Sequence, residues 1–328
     1  MPFTGNPMTR THSITVKSFL RLIRWPNLLI IILTQCLVMF ALIGPIYARS
    51  GIEPALDILL FAALVFTTVI IAAAGYIIND YFDVRADLIN KPEAVIVGKF
   101  LKRRKAIQLH MIVNSIAMLL GFFISLKVGS FRLGLIFPLM IVLLWFYSER
   151  YKRTILVGNL AVAFMSAMVV MIVWLFEFYA LKMQPDKFMT VYTSLGLLSR
   201  IVFAFTLFAF LLTLVREIVK DAEDIEGDKE TGSHTIAVVY GIKYSKIIAI
   251  ILLVLTLLLV LMGSWQLYGF TMMIPSLYYL LMVALPGIYV ILRLSASRSR
   301  EDFHRISTLV KLIMLSGILG MAILAIYL

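Results

Sequence analysis

Two acidic runs of the same form are the residues in this chain best suited to chemistry: Asn79-Asp80-Tyr81-Phe82-Asp83-Val84-Arg85-Ala86-Asp87 and Lys220-Asp221-Ala222-Glu223-Asp224-Ile225-Glu226-Gly227-Asp228. Each contains Asp-x-x-Asp-x-x-x-Asp. At about 100° per residue of helix, Glu217, Asp221, Asp224 and Asp228 fall within an arc of about 60°, and Asn79, Asp80, Asp83 and Asp87 within about 100°. Two such stripes facing each other repel unless divalent cations lie between them. Mg²⁺ suits the gap, because it takes one or two carboxylates and fills its other positions with water and phosphate oxygens. With Lys and Arg nearby, the set can bind a diphosphate and stabilise the charge that grows on it as it leaves. The basic candidates are Arg24, Arg85, Lys91, Lys152, Arg153 and Lys220; Lys152 and Arg153 follow Trp145-Phe146-Tyr147 on a short loop. Acids in loops are ordinarily solvated surface. Two matched runs, each starting where a long apolar stretch ends, argue for a site instead.

The elements that position them are membrane helices. The 328 residues are 62% hydrophobic and 15% charged, far above the soluble norm of about 45–50% apolar. A spanning helix needs about 20 apolar residues, and about nine stretches qualify: 20–46, 55–78, 105–126, 132–148, 155–179, 195–217, 245–264, 274–293 and 306–327. The expected fold is all-α, a polytopic membrane bundle forming one domain over 1–328, with 1–17 as a short cytoplasmic tail. The net charge of +12 does not point to nucleic acid. All Lys and Arg except Arg49, Lys127, Arg132, Lys182, Lys187 and Arg200 fall on one side of the bilayer if the N-terminus is cytoplasmic. That is the positive-inside bias, so the expected topology is N-in and C-out in the cell's inner or plasma membrane, with both acidic runs facing the cytoplasm. Arg21 and Arg24 are read into the first span. Cys36 is the single cysteine, so no internal disulfide and no Cys-x-x-Cys metal site exist, and it reads as a packing residue. Each acidic loop then passes a glycine turn, at Gly98 or Gly232.

A diphosphate site at a membrane boundary points to a lipid diphosphate whose hydrocarbon tail lies between the helices. Ionisation of an allylic carbon–oxygen bond would there be shielded from water, and aromatic faces would steady the cation. Two other classes put acids at membranes. An ion-coupled transporter needs them near mid-span, whereas Asp57 and Glu177 sit near span ends and the rest cluster at one boundary. A CDP-alcohol phosphotransferase would show an Asp-Gly-x-x-Ala-Arg run, which this chain lacks. His12, His110, His234 and His304 are scattered without metal-ligand spacing, and His234 reads as structural or solvated.

Asn79 to Asp87 resembles the first aspartate motif of the UbiA superfamily of intramembrane prenyltransferases, and Asp224-Ile225-Glu226-Gly227-Asp228 with Gly232 and Thr235-Ile236-Ala237 resembles the second. Arg24-Trp25-Pro26-Asn27, Tyr147, Lys152 and Gly158-Asn159 also look like family positions, so the likeness covers nearly the whole chain. It implies Mg²⁺-dependent transfer of a prenyl group from a prenyl diphosphate to a membrane-associated acceptor, within a helical bundle that opens laterally to membrane lipid. Carried over by position, Asn79, Asp83, Asp87, Asp224 and Asp228 would hold metal and diphosphate, the four aspartates being the catalytic set. Asp80 and Asp221 adjoin them, Lys152 would contact phosphate and Asn27 would line the pocket. Arg24, Tyr147 and Arg153 complete the substrate-binding set. The run Arg216 to Asp228 looks most like the branch that transfers a geranylgeranyl-type group to geranylgeranylglyceryl phosphate; prenylation of an aromatic acceptor in quinone biosynthesis, of the 4-hydroxybenzoate or dihydroxynaphthoate type, is the alternative. Two positions depart from the pattern: Ala94-Val95 stands where many relatives have Arg-Pro, and Ser233 where quinone-pathway members often have Lys.

Overall fold

A computed structural model describes residues 15–90 and 92–328. Lys91, His12 and all but the end of the expected tail 1–17 lie outside the described residues. Within them, nine helices are long and apolar enough to cross a membrane: Trp25–Ala48, Ile58–Val84, Arg103–Lys127, Phe131–Glu149, Val157–Lys182, Pro185–Glu223, Ile242–Gly269, Met273–Ala296 and Arg300–Ala325. They are called the first to ninth spans. In lipid every backbone donor and acceptor must be satisfied within the chain, which helices do; the only β pairing among the described residues is one bridge, Val97 to Leu101.

The spans begin and end differently from their apolar stretches. The first starts at Trp25, after a separate helix Val16–Leu22, so Arg21 and Arg24 precede it rather than lie within it. Arg24 makes the break, in a left-handed conformation with φ 51°, and Pro26 follows in the first turn, where its missing N–H costs nothing. The sixth span runs from Pro185 to Glu223 and the ninth starts at Arg300, because polar residues at their ends continue the helix beyond the apolar stretch. The second span continues as helix to Asn90. Prolines inside the first and eighth spans follow π-helical turns, Val38–Ile43 before Pro45 and Leu280–Ala284 before Pro286. The wider turn accommodates a residue that cannot donate to the preceding one.

The sixth span is the hub, packed against the fifth, seventh and ninth, while the second packs against the first, third and fourth. The ninth also reaches the first, which closes the bundle. Between lipid-facing helices there is little hydrophobic drive, so close approach by small residues matters; Ala74, Ala117, Ala163 and Ala249 are fully buried at such contacts. Two cores result, one among the first six spans and the ninth, the other among the fifth to ninth. A smaller cluster docks the loop after the second span: Ile96 and Val97 against Leu22, Ile77 and Ala106. Val95, at one of the departures from the family pattern, is buried beside it. An open apolar groove of about 380 Å³ between the first and second spans is lined by Ile32, Cys36, Phe40, Phe61 and Phe66. It contains no charged group, so it is not where the acids act.

At the end of the bundle away from the acidic runs, Glu177 is fully buried and its carboxylate accepts the backbone N–H of Ala55 (2.7 Å) and Leu56 (2.9 Å). It ties the first loop to the fifth span. That is a structural use of an intramembrane acid, and Asp57 likewise caps the second span by accepting the Leu59 N–H at 2.7 Å.

Candidate active site

The first acidic run lies on one unbroken helix, so its register is fixed by the second span. Asp83 is buried, and its Oδ2 accepts the Asn79 amide at 2.7 Å and pairs with the Lys152 ammonium. Lys152 arrives on the single 3₁₀ turn Tyr151–Arg153 between the fourth and fifth spans. Gly158 makes that approach possible: a Cβ there would stand 2.5 Å from the Tyr151 carbonyl oxygen and 2.9 Å from Lys152 Cα. Burial works against the Lys152 ammonium but is outweighed by Asp83, with Tyr147 and Asp87 adding, so its pKa stands above that of an ordinary lysine. Asp80, one residue round the helix, turns away to Arg24, with an N–O distance of 3.2 Å. Burial lowers the Arg24 pKa, but Asp80 and Tyr76 more than reverse it.

The second run is not one helix. The sixth span ends at Glu223, Asp224 caps it, and a separate short helix Ile225–Glu230 follows. The expected single stripe from Glu217 to Asp228 is therefore broken at Asp224, where the chain turns out of the span. Asp221, on the span, accepts the Asn159 amide at 2.8 Å. Asp224 Oδ1 is shielded, has no aligned hydrogen bond, and lies 3.5 Å from Arg300 of the ninth span. The short helix closes in a Schellman turn, with the Gly232 N–H on the Lys229 carbonyl (3.2 Å) and the Ser233 N–H on the Asp228 carbonyl (2.8 Å). Gly232 takes the left-handed position with φ 70°. The turn brings Thr235 Oγ1 to 3.4 Å from Asp228 Oδ2 and the His234 N–H to 2.8 Å from the Arg153 carbonyl. Both loops beside the site are thereby tied together. The Arg153 and His234 side chains are exposed.

The short helix of the second run packs against the helix of the first. Burial raises the Asp228 pKa, Lys152 opposes it, and repulsion from Asp224 and Asp83 adds. Both runs thus share one electrostatic neighbourhood with Lys152 in it. Among the described residues, no three His, Cys, Asp or Glu side chains lie close enough together to hold a metal by themselves. The donors present still fit Mg²⁺, which prefers hard carboxylate oxygens and takes its remaining ligands from water and phosphate; a shielded Asp224 oxygen without a hydrogen bond is one such donor.

Of the sequence-predicted residues, the structure brings Asn79, Asp83, Asp87, Lys152, Tyr147 and Asp228 into one group, with Asp221 on the sixth span and Asp224 at its C-cap beside it. Arg24, Asp80 and Asn27 form a neighbouring group: Arg24 stacks 4.8 Å from the Tyr76 ring centre, and the Asn27 amide reaches the Tyr76 hydroxyl at 3.3 Å. Sequence reasoning missed the ninth span's contribution. Arg300 pairs with Asp224, His304 Nδ1 lies 2.9 Å from Glu223 Oε1, and the Lys311 ammonium donates to Asn27 Oδ1 at 2.9 Å. No stripe marked them: the first turns of the ninth span also carry Glu301, Asp302, Arg305 and Thr308 on its other faces, so the helix is polar all round there and spacing singles out no face.

A model of the UbiA prenyltransferase family matches residues 37–325. A digeranylgeranylglyceryl phosphate synthase from Methanosphaera stadtmanae is 32% identical over 256 residues, covering 77% of this chain and 83% of that protein. A solved structure of digeranylgeranylglyceryl phosphate synthase in membranes superimposes with a TM-score of 0.63 at 25% identity, covering 95% of this chain and 99% of that one. A UbiA homolog from Archaeoglobus fulgidus, bound to DMAPP and Mg²⁺, shares the fold with a TM-score of 0.52 at 16% identity, covering 93% and 99%. The chain belongs to the UbiA prenyltransferase family and is an integral membrane prenyltransferase.

Proposed function

We propose that the chain transfers a geranylgeranyl group from geranylgeranyl diphosphate to the free hydroxyl of geranylgeranylglyceryl phosphate, with Mg²⁺ and on the cytoplasmic side of the membrane. The observation that carries this reading is the meeting of both acidic runs around Lys152. The relatives named digeranylgeranylglyceryl phosphate synthase supply the acceptor. Asn79, Asp83, Asp87, Asp224 and Asp228 would hold Mg²⁺, which when bound supplies counter-charge to the diphosphate. Lys152, charged throughout the neutral range, binds diphosphate oxygens and stabilises the negative charge that grows as the allylic C1–O bond breaks. The acceptor hydroxyl oxygen then forms the ether bond to C1, its proton is released, and diphosphate leaves. Asp221 positions the end of the sixth span through Asn159, and Arg24, Asn27, Tyr147 and Arg153 border the substrates. With the N-terminus inside, the basic flanks of the spans lie on the same side as the site.

Purified protein is given geranylgeranyl diphosphate with either geranylgeranylglyceryl phosphate or 4-hydroxybenzoate, and products are identified by mass spectrometry. The expected result is ether formation on the phosphate acceptor that stops when EDTA removes Mg²⁺ and returns when Mg²⁺ is restored. Transfer to the aromatic acid alone, or transfer that survives chelation, overturns the reading.

A further inference from the structure

The ninth span carries a cation that the acidic site does not use. Lys311 lies about 16 Å along its helix from Arg300, at about 1.5 Å per residue, within a membrane-spanning helix and level with the first turn of the first span, where Asn27 sits. A lysine within a spanning helix is costly and ordinarily faces a carboxylate or a water-filled cavity. Here its hydrogen-bond partner among the described residues is the neutral amide oxygen of Asn27 at 2.9 Å, and the antiparallel register that sets His304 against Glu223 and Gly317 against Phe208 puts Arg216 of the sixth span opposite it. Among the described residues Arg216 has one ion-pair partner, the adjacent Glu217 at 2.8 Å, and its Nε is shielded from solvent without an acceptor. Glu217 also feels Arg24 and Lys152, so this basic group borders the acidic one. Among the described residues, Lys311 is paired with no carboxylate and the Arg216 Nε–H is unsatisfied. The nearby carboxylate of Asp80 is taken by Arg24. The group therefore has the charge and the free donor to receive a dianion.

We propose that Lys311, Arg216 and Asn27 form a second anion site that takes the phosphate monoester of the acceptor lipid. This rests on the reading that the acceptor carries a phosphate. A phosphate monoester brings a charge of about −1.5 to −2 at neutral pH and three acceptor oxygens, enough to satisfy the Arg216 Nε–H and the Lys311 ammonium together. The diphosphate of the donor goes to the aspartates and Lys152, so each substrate has its own anion site on adjoining faces of the sixth span. The Asn27 amide, bonded to both Lys311 and the Tyr76 hydroxyl, links this site to the Arg24 break at the start of the first span.

The test is binding without turnover. A saturated ether-linked alkylglycerol phosphate, which has the head group but is offered without a prenyl donor, is titrated into full-length protein in detergent and followed by tryptophan fluorescence, alongside the same alkylglycerol lacking phosphate. Wild type should bind the phosphate form at least about tenfold more tightly, the scale of one charge-assisted hydrogen bond. Lys311→Met should lose that preference, Lys311→Arg should keep most of it, and both should bind geranylgeranyl thiolodiphosphate with Mg²⁺ as wild type does, which also shows that they are folded. Equal binding of the two alkylglycerols by wild type, or a Lys311→Met effect as large on the diphosphate as on the phosphate, overturns the proposal. Failure of transfer to geranylgeranylglyceryl phosphate would instead remove the proposed function, and the binding result would still stand.

Discussion

The two acidic runs share a spacing and differ in what holds them. Asn79 to Asp87 sit on one continuous helix, and Asp83 is fixed by Asn79 from its own helix and by Lys152 from a turn that Gly158 lets close. Asp221 to Asp228 straddle a helix break, and their carboxylates are met by three other segments: Asn159 on Asp221, Arg300 on Asp224 and Thr235 on Asp228. The first run is rigid by local structure. The second is assembled by tertiary contacts, and its exposure reflects that: the Asp83 side chain is 8% exposed and that of Asp224 25%. Identical acid spacing therefore does not imply identical geometry. One run acts as a fixed wall and the other as a jaw set by its neighbours.

The largest expected effect tests that ranking. Asp83→Asn should lower transfer by on the order of 10³-fold and Asp224→Asn by on the order of 10²-fold, the range for removing one preorganised electrostatic group. Both are read as kcat with saturating donor and Mg²⁺. Full activity in both variants would remove the site assignment, and the reverse order would show that the broken run, not the continuous one, carries the charge. Next in size is Gly158→Ala. Its Cβ meets backbone, 2.5 Å from the Tyr151 oxygen, so the turn carrying Lys152 must shift. Displacement of a binding group by about 1 Å costs about 10²-fold in rate, and a loss of that order with an unchanged far-UV spectrum is expected. Wild-type kcat in this variant would mean that the position of Lys152 is not held by the turn.

The nine spans were legible because an apolar stretch of membrane-crossing length has few other uses, and the first run was legible because a helix preserves the spacing written in its sequence. The break at Asp224 was not. Periodicity alone continues the sixth span through Asp228, and nothing local marks Asp224 as a cap; the group that meets Asp224 there, Arg300, comes from far along the chain. The same limit hid Glu223 with His304 and Asn27 with Lys311, since each joins residues on different spans whose partner choice depends on packing. Arg21 and Arg24 were read into the first span because hydropathy registers a helix but not a left-handed residue that starts a new one.

The smallest effect separates the two loops. Ala at Gly232 would meet no atom within 4 Å, so its cost is the left-handed backbone alone, about 1 kcal/mol. Gly98, in the loop after the first run, has the same cost: φ 93° and open space around it. The two substitutions should therefore lower thermal stability alike. Their effects on the donor should differ, because the Gly232 turn carries the Asp228 carbonyl and delivers Thr235 to the Asp228 carboxylate, whereas the first run's helix is complete before Gly98 is reached. Gly232→Ala is expected to raise the KM for the prenyl diphosphate by about fivefold, the equivalent of that 1 kcal/mol, and Gly98→Ala to leave it unchanged. Equal KM values in the two variants would mean that the second run, like the first, is held by its own helix and not by the turn that follows it.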